Sequence, residues 1–302
     1  MTIFPPDAIM WGRKTCKSSV SEKEREVELS VVSGGVFKLD GGSMFGIVPK
    51  PLWEKTCPPD EKNRITNDTN CLLIRKDGRL ILVDTGYGDK MTERDRGIYG
   101  MSGSTVIGSL SARGVSPEDI DLVILSHLHF DHAGGATRTD DDGRVVPAFP
   151  NARYIVQKGE WEDALNDYGT MKTTYRPENY QPLMEAGALT LVEGDVEIEE
   201  GVRVEVTGGH TRYHQLVKVE SGDTRAVYSG DILPMTTHLR APYNMAYDLF
   251  PYDTMTAKMR LLRQAADEGW IIVLDHDAGV SSGRISCEGE DRFGFEAVAL
   301  NQ

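Results

Sequence analysis

Paired cysteines, long apolar runs and an excess of basic charge are all missing from this 302-residue chain. The four cysteines, Cys16, Cys57, Cys71 and Cys287, stand far apart with no CxxC among them. That signals neither a disulfide framework nor a thiolate metal site, so they read as buried or inert thiols. No apolar stretch approaches the roughly 20 residues of a membrane span. The opening residues lack a basic segment leading into an apolar one. No membrane partner is therefore expected, and a cytoplasmic location is. With 33 basic against 47 acidic residues the formal charge is −14. Such a surface repels phosphate backbones, and no nucleic-acid partner is expected. Histidine is scarce too, at seven residues, yet three of the seven fall within six positions of "SHLHFDHAGG".

The rest of the chain reads as a large α/β core. Short apolar, β-branched runs recur: "VELSVVSGG" (27–35), "CLLIRKDGRLILVDTG" (71–86), "DLVILSH" (121–127), "ARYIVQ" (152–157), "ALTLVEG" (188–194), "VRVEVTGG" (202–209), "HQLVKVES" (214–221), "RAVYSGD" (225–231) and "WIIVLDHD" (270–277). The "RKDGR" step predicts a hairpin turn. Helices are predicted over 105–114, which ends on glycine, over the acidic 159–168, and over 253–270. In the last, Met255, Met259, Leu262 and Ala266 fall at helical spacing and read as core, with Lys258, Arg260 and Arg263 on other faces. Residues 1–40 read as an N-terminal extension packed on the core, and 41–302 as one domain. The long loops 41–64 and 86–103 suit either a pocket wall or a homodimer contact.

The histidine-rich stretch follows the run "DLVIL" directly. In an extended strand residues two apart point the same way, so His127 and His129 are expected to share one metal ion. A turn after Phe130 aims Asp131 and His132 toward a second. Ala133, Gly134 and Gly135 carry little bulk, which lets backbone pack close behind the ligands. Three further donors stand at later strand ends: His210 in "VTGGHT", Asp231 in "VYSGD" and His276 in "IIVLDHD". Five histidines and two aspartates exceed what one tetrahedral ion takes, so two divalent ions bridged by Asp231 suit the set. Imidazole with carboxylate suits zinc, the first expectation, and also iron, manganese or cobalt.

These residues resemble the metallo-β-lactamase superfamily. "HLHFDH" (127–132) is similar to its HxHxDH motif, with His210, Asp231 and His276 in the matching order. "LILVDTG" (80–86) resembles the strand and turn before that motif. "GGHTRYHQ" (208–215) resembles a GHTxGH turn in which Tyr213 replaces the glycine. The resemblance implies an αββα sandwich of two mixed sheets with metals at one edge. It also implies supporting roles, outside the metal shell, for Asp84 and His214. Within the superfamily, the pattern is most similar to the N-acyl homoserine lactonase and methyl parathion hydrolase branches. Small lactonases carry a tyrosine three residues after the bridging aspartate; Pro234 stands there in this chain. Either His238, Tyr243 or Tyr247 is then expected to take over that tyrosine's role, or the substrate differs. Met44, Phe45 and Phe130 are candidates for gripping an acyl chain.

The expected activity is hydrolysis of a small lactone or ester, with phosphotriesters as a side activity. Two cations roughly 3.5–4 Å apart would hold a bridging hydroxide as nucleophile. The His127, His129 and His210 metal would polarise the carbonyl, and the Asp131, His132 and His276 metal would stabilise the departing alkoxide. Asp131 is the candidate catalytic residue, as proton carrier to the leaving group, with a role as metal ligand alone the alternative. Two other activities of the same fold compete: a mononuclear-iron persulfide oxygenase using His127, His129, His210 and Asp231, and a glyoxalase II-like thioesterase.

Overall fold

The computed structural model describes residues 27–166, 173–289 and 292–300. Cys16 and most of the first 40 residues lie outside them, as does the end of the acidic segment 159–168.

A period of two sorts the apolar residues onto both faces of one sheet. Leu72, Ile74, Ile81, Val83, Leu122, Ile124 and Ile155 enter one buried cluster. Their neighbours Cys71, Leu73, Leu80, Leu82, Val123, Tyr154 and Val156 enter another. A sheet buried on both sides reads as near-continuous apolar runs, which is why these segments show little polar alternation. The strands are Glu28–Asp40, Arg64–Lys76, Arg79–Val83, Leu122–Ile124, Arg153–Gln157 and Leu189–Val192, in that spatial order. The first two pairings are antiparallel and the other three parallel. The expected hairpin is present, with Asp77 and Gly78 at φ 53° and 79° in its turn.

Facing it is a sheet of seven strands, Val196–Glu199, Val202–Val206, Gln215–Ser221, Thr224–Tyr228, Ile271–Val273, Ser282–Gly289 and Arg292–Ala297, also ordered along the chain. All its pairings are antiparallel except that of Thr224–Tyr228 with Ile271–Val273. Val202, Val204, Val217, Val219, Tyr228 and Val273 close the core between the sheets. Helices cover the outsides. Val106–Ser111, Lys158–Leu165 and Gln181–Glu185 lie on the first sheet through Val106, Leu110, Trp161, Ala164 and Leu183. Pro251–Glu268 lies on the second through Met259, Leu261, Leu262 and Ala265, and stops at Gly269 with φ 70°. The result is the expected αββα sandwich.

One expectation needs correction. Lys258 is not on an outer face: its ammonium is buried and donates to the Tyr243 carbonyl (2.6 Å) and to Asn244 Oδ1 (2.7 Å), pinning the loop before the helix. Cys287 is exposed, whereas Cys71 is buried. Residues Glu28–Asp40, read as part of an extension, form the outer strand of the first sheet. Among the described residues, no helix is long and apolar enough to cross a membrane.

Parallel strands bring their carboxyl ends to one edge. The turns after Val83, Ile124, Tyr228 and Val273 all meet there. Hydrogen bonds tie the two sheets together along this edge. Gln215 N–H donates to the Ser126 carbonyl (3.0 Å) and Asn70 N–H to the Asp275 carbonyl (2.7 Å). The Gln215 side chain donates to the Leu125 carbonyl (2.8 Å).

Candidate metal centre

The strand Leu122–Ile124 ends before the histidines begin, because Ser126 is captured sideways. Asp84, held at φ 58°, accepts from Ser126 N–H (2.7 Å) and Ser126 Oγ (2.6 Å). His127 and His129 therefore converge from a loop and not from strand alternation. The short helix Phe130–Ala133 turns Asp131 and His132 away from them. Gly134 and Gly135 are required by close approach: a β-carbon there would collide with the carbonyls of Tyr87 and Thr85.

Two groups of side chains result, each able to hold a metal ion: His127, His129, His210 and Asp231, and His132, Asp231, Asp275 and His276. Asp231 belongs to both. Its Oδ2 lies 2.9 Å from His210 Nε2 and 3.7 Å from His127 Nε2, while Oδ1 lies 3.1 Å from His276 Nε2. His129 turns Nδ1 toward His210 Nε2 at 3.0 Å. Asp131 borders the second group, with Oδ2 3.7 Å from His276 Nε2 and 3.9 Å from His132 Nε2.

Four of the five imidazoles are tethered through the far nitrogen, which fixes the tautomer and aims the near one at the centre. His132 Nδ1 faces Asp84 Oδ2 (2.8 Å), His210 Nδ1 faces Asp248 Oδ1 (3.0 Å), and His276 Nδ1 faces the Asp68 carbonyl (2.8 Å). His127 Nδ1 faces Ser126 Oγ at 3.0 Å. Of the seven buried side-chain polar atoms without a hydrogen-bond partner among the described residues, five are here: His127 Nε2, His132 Nε2, Asp231 Oδ1 and both oxygens of Asp275. Native interiors rarely leave such atoms unsatisfied. Converging lone pairs of this kind fit metal ions.

Close burial makes these groups shift one another strongly. Burial, reinforced by neighbouring histidines, holds His127 and His129 well below the ordinary imidazole value, so both are neutral. Burial also pulls on His210, but Asp231 and Asp248 outweigh it and raise it to about 10. His276 rises against burial to about 9 under Asp275 and Asp231. Burial would raise Asp231, yet His210, His276 and His132 keep it well below the carboxylate range.

His214 lies behind the shared carboxylate. Its Nε2 accepts from Asp231 N–H (3.2 Å), and its Nδ1 meets Thr207 Oγ1 (2.7 Å). Tyr213 packs against Gly159 at the start of the helix Lys158–Leu165.

The aromatic candidates separate. Met44, Phe45 and His238 are all within 1% of full burial. Phe45 stacks between Trp53 (5.1 Å) and His238 (5.0 Å), and His238 Nε2 is bonded to the Met44 carbonyl (2.8 Å). These three side chains are taken up by packing on one another. Phe130 lies beside Tyr99 (5.2 Å) and under the Arg176 guanidinium (5.4 Å). Tyr247 is 39% exposed, near enough to Asp131 to feel its charge.

Three residues that matter here escaped the sequence reading. Asp248 sits in a loop with no motif. Asp275 was visible only as the first letter of "DHD". Glu160, inside the acidic helix, is fully buried and joins both ligand loops. Its Oε1 accepts from Leu128 N–H (3.1 Å) and Tyr175 OH (2.7 Å), and its Oε2 from Thr211 OH (2.7 Å).

Comparison with known proteins agrees with this geometry. A family model for the metallo-beta-lactamase superfamily matches residues 65–276. An N-acyl homoserine lactonase of Bacillus thuringiensis is 33% identical over 178 residues, 52% of this chain and 60% of that protein; the chain thus spans about 60% of the length of such relatives. The structure of a probable metal-dependent hydrolase from Staphylococcus aureus is similar over 93% of this chain and 99% of that one, with 31% identity and a TM-score of 0.84. An N-acyl homoserine lactone hydrolase with N-hexanoyl-L-homoserine at its catalytic metal centre matches 83% of this chain and 93% of its own, with 26% identity and a TM-score of 0.62. With the motif, the sandwich and the paired His/Asp groups in agreement, the chain belongs to the metallo-beta-lactamase superfamily.

Proposed function

We propose that the protein is a dinuclear metal-dependent hydrolase that opens a small lactone or ester, with phosphotriesters as a side activity. The observation that carries this reading is the pair of His/Asp groups sharing Asp231. Bound there, two divalent cations would polarise a carbonyl oxygen and make a water nucleophilic near neutral pH. Zinc is the first expectation for the metal. The first ion would be held by His127, His129 and His210, the second by Asp131, His132 and His276, and Asp231 would bridge them. Asp84, His214 and Asp248 keep the ligands aimed. Asp131, at the border of the second group, is the residue to carry a proton to the leaving alkoxide. Phe130 and Tyr247 flank it and are assigned to substrate contact. Similarity to lactonases supports a small-molecule substrate with an acyl chain. Two groups, where an oxygenase would need one, favour hydrolysis over persulfide oxidation.

The test is a hydrolysis panel on metal-quantified protein: acyl homoserine lactones, other lactones, aryl esters, phosphotriesters and a glutathione thioester. Two metals per chain and a lactone preference are expected. One iron per chain with oxygen uptake, or cleavage of the thioester alone, would overturn the reading. Replacing His127 or His132 by alanine should abolish turnover and leave the fold intact; a fully active His132→Ala protein would exclude a two-metal scheme.

A further inference from the structure

Resting on the dinuclear reading, we propose that Asp275 is an additional ligand of the second metal and makes that position selective for a higher-coordinate ion such as manganese over tetrahedral zinc. Asp275 follows the strand Ile271–Val273, and its carbonyl is fixed by Asn70 N–H at 2.7 Å. The side chain is 1% exposed, and neither oxygen has a hydrogen-bond partner. Its Oδ2 lies 3.7 Å from His276 Nε2 and 4.0 Å from His132 Nε2. Asp131 Oδ2 meets the same two nitrogens at 3.7 and 3.9 Å, so the two carboxylates hold equivalent stations.

A supporting role as hydrogen-bond acceptor for these imidazoles is closed to Asp275. His132 Nδ1 is already bonded to Asp84, and His276 Nδ1 to the Asp68 carbonyl. Asp275 instead faces the Nε2 atoms, the side on which the metal would sit. Among the described residues its ion-pair partners are these two imidazoles, with no lysine or arginine, and Asp231 beside it is a like charge. A buried carboxylate beside a like charge is costly, and a cation at this point offsets that repulsion.

The donor set then decides which cation. The first group offers three imidazoles and one carboxylate. With Asp275 and Asp131 the second offers two imidazoles and three carboxylates. Carboxylate oxygen suits manganese, and five protein donors exceed the four of a typical zinc shell.

The experiment uses full-length protein stripped by chelator and titrated separately with Mn²⁺ and Zn²⁺ in a calorimeter, for wild type, Asp275→Asn and Asp275→Ser. The substitutions should weaken the second Mn²⁺ step by about tenfold or more, the range for ligand-shell changes. The second Zn²⁺ step should change much less, and the first step of either metal should not move. Two equivalents bound with unchanged or equally weakened Mn²⁺ and Zn²⁺ steps would overturn the proposal and leave the dinuclear reading standing. A single equivalent in wild type would overturn both.

Discussion

Asp248 and Glu160 show how much of this centre depends on residues that never face the metal. Asp248 accepts from His210 Nδ1 at 3.0 Å, and its other oxygen accepts from Met245 N–H at 3.2 Å, so the loop and the imidazole are set together. Asp248→Ala is expected to lower metal affinity at the first position by about 10- to 100-fold, measured by competition with a chromogenic chelator. Glu160 acts one step further back. It grips Leu128, between His127 and His129, and Thr211, after His210. Glu160→Ala should loosen all three imidazoles at once, weakening the first metal step and leaving the second nearly unchanged. Equal loss at both steps would show general destabilisation instead.

Lys258 carries a pH dependence at the same scale. Burial, opposed by Asp248, brings its ammonium down to about 7, against about 10.4 for a free lysine. Between those values the unfolded chain holds a proton that the folded chain has released. Stability contributed by this group therefore rises with pH from about 7 toward 10. Urea unfolding of metal-free protein at pH 7 and pH 9 should show a larger gain for wild type than for Lys258→Met.

At the scale of elements, the ligand turns are held by close backbone packing and the strands behind them by burial. Gly230 has φ 50°, and a β-carbon there would strike His214 Nε2, the atom that accepts from Asp231 N–H. Gly230→Ala is expected to cost metal affinity as well as stability, since it displaces the bridging carboxylate. Leu262 tests the opposite case. It is fully buried under the helix Pro251–Glu268, on the face of the sheet away from the core between the sheets. Leu262→Ala should cost about 2–5 kcal/mol of stability, with the metal stoichiometry unchanged in the protein that remains folded.

Across the whole molecule, the centre joins two sheets that also meet through apolar packing, the hydrogen bonds at their common edge and an Arg79–Glu199 ion pair. His127, His129 and His132 follow strands of the first sheet, and His210, Asp231 and His276 follow strands of the second. A ligand that binds only when both are in place stabilises the folded state by mass action, by about 2.7 kcal/mol at a hundredfold excess over Kd. Chelator treatment should accordingly lower the melting temperature by several degrees, and readdition of metal should restore it. An unchanged melting curve would mean that no ion spans the two sheets.

The sequence by itself determined the donor types, their order and most of the strands behind them. Metal chemistry needs particular side chains, and doubly buried strands need continuous apolar runs; both leave marks in the linear text, as in "HLHFDH" and "CLLI". It also located the hairpin at Asp77–Gly78 and the amphipathic helix near the C-terminus. Strands such as Ser282–Gly289 and Arg292–Ala297 were not legible, because their exposed polar residues leave no regular apolar period. The tertiary structure alone decided what surrounds each donor. Glu160, Asp248, Asp275 and Lys258 look like ordinary surface charges until the fold removes water from them, and Met44, Phe45 and His238 look like pocket walls until they pack on one another. The reason is that burial and convergence depend on which segments meet, and here they meet across gaps of tens to hundreds of residues.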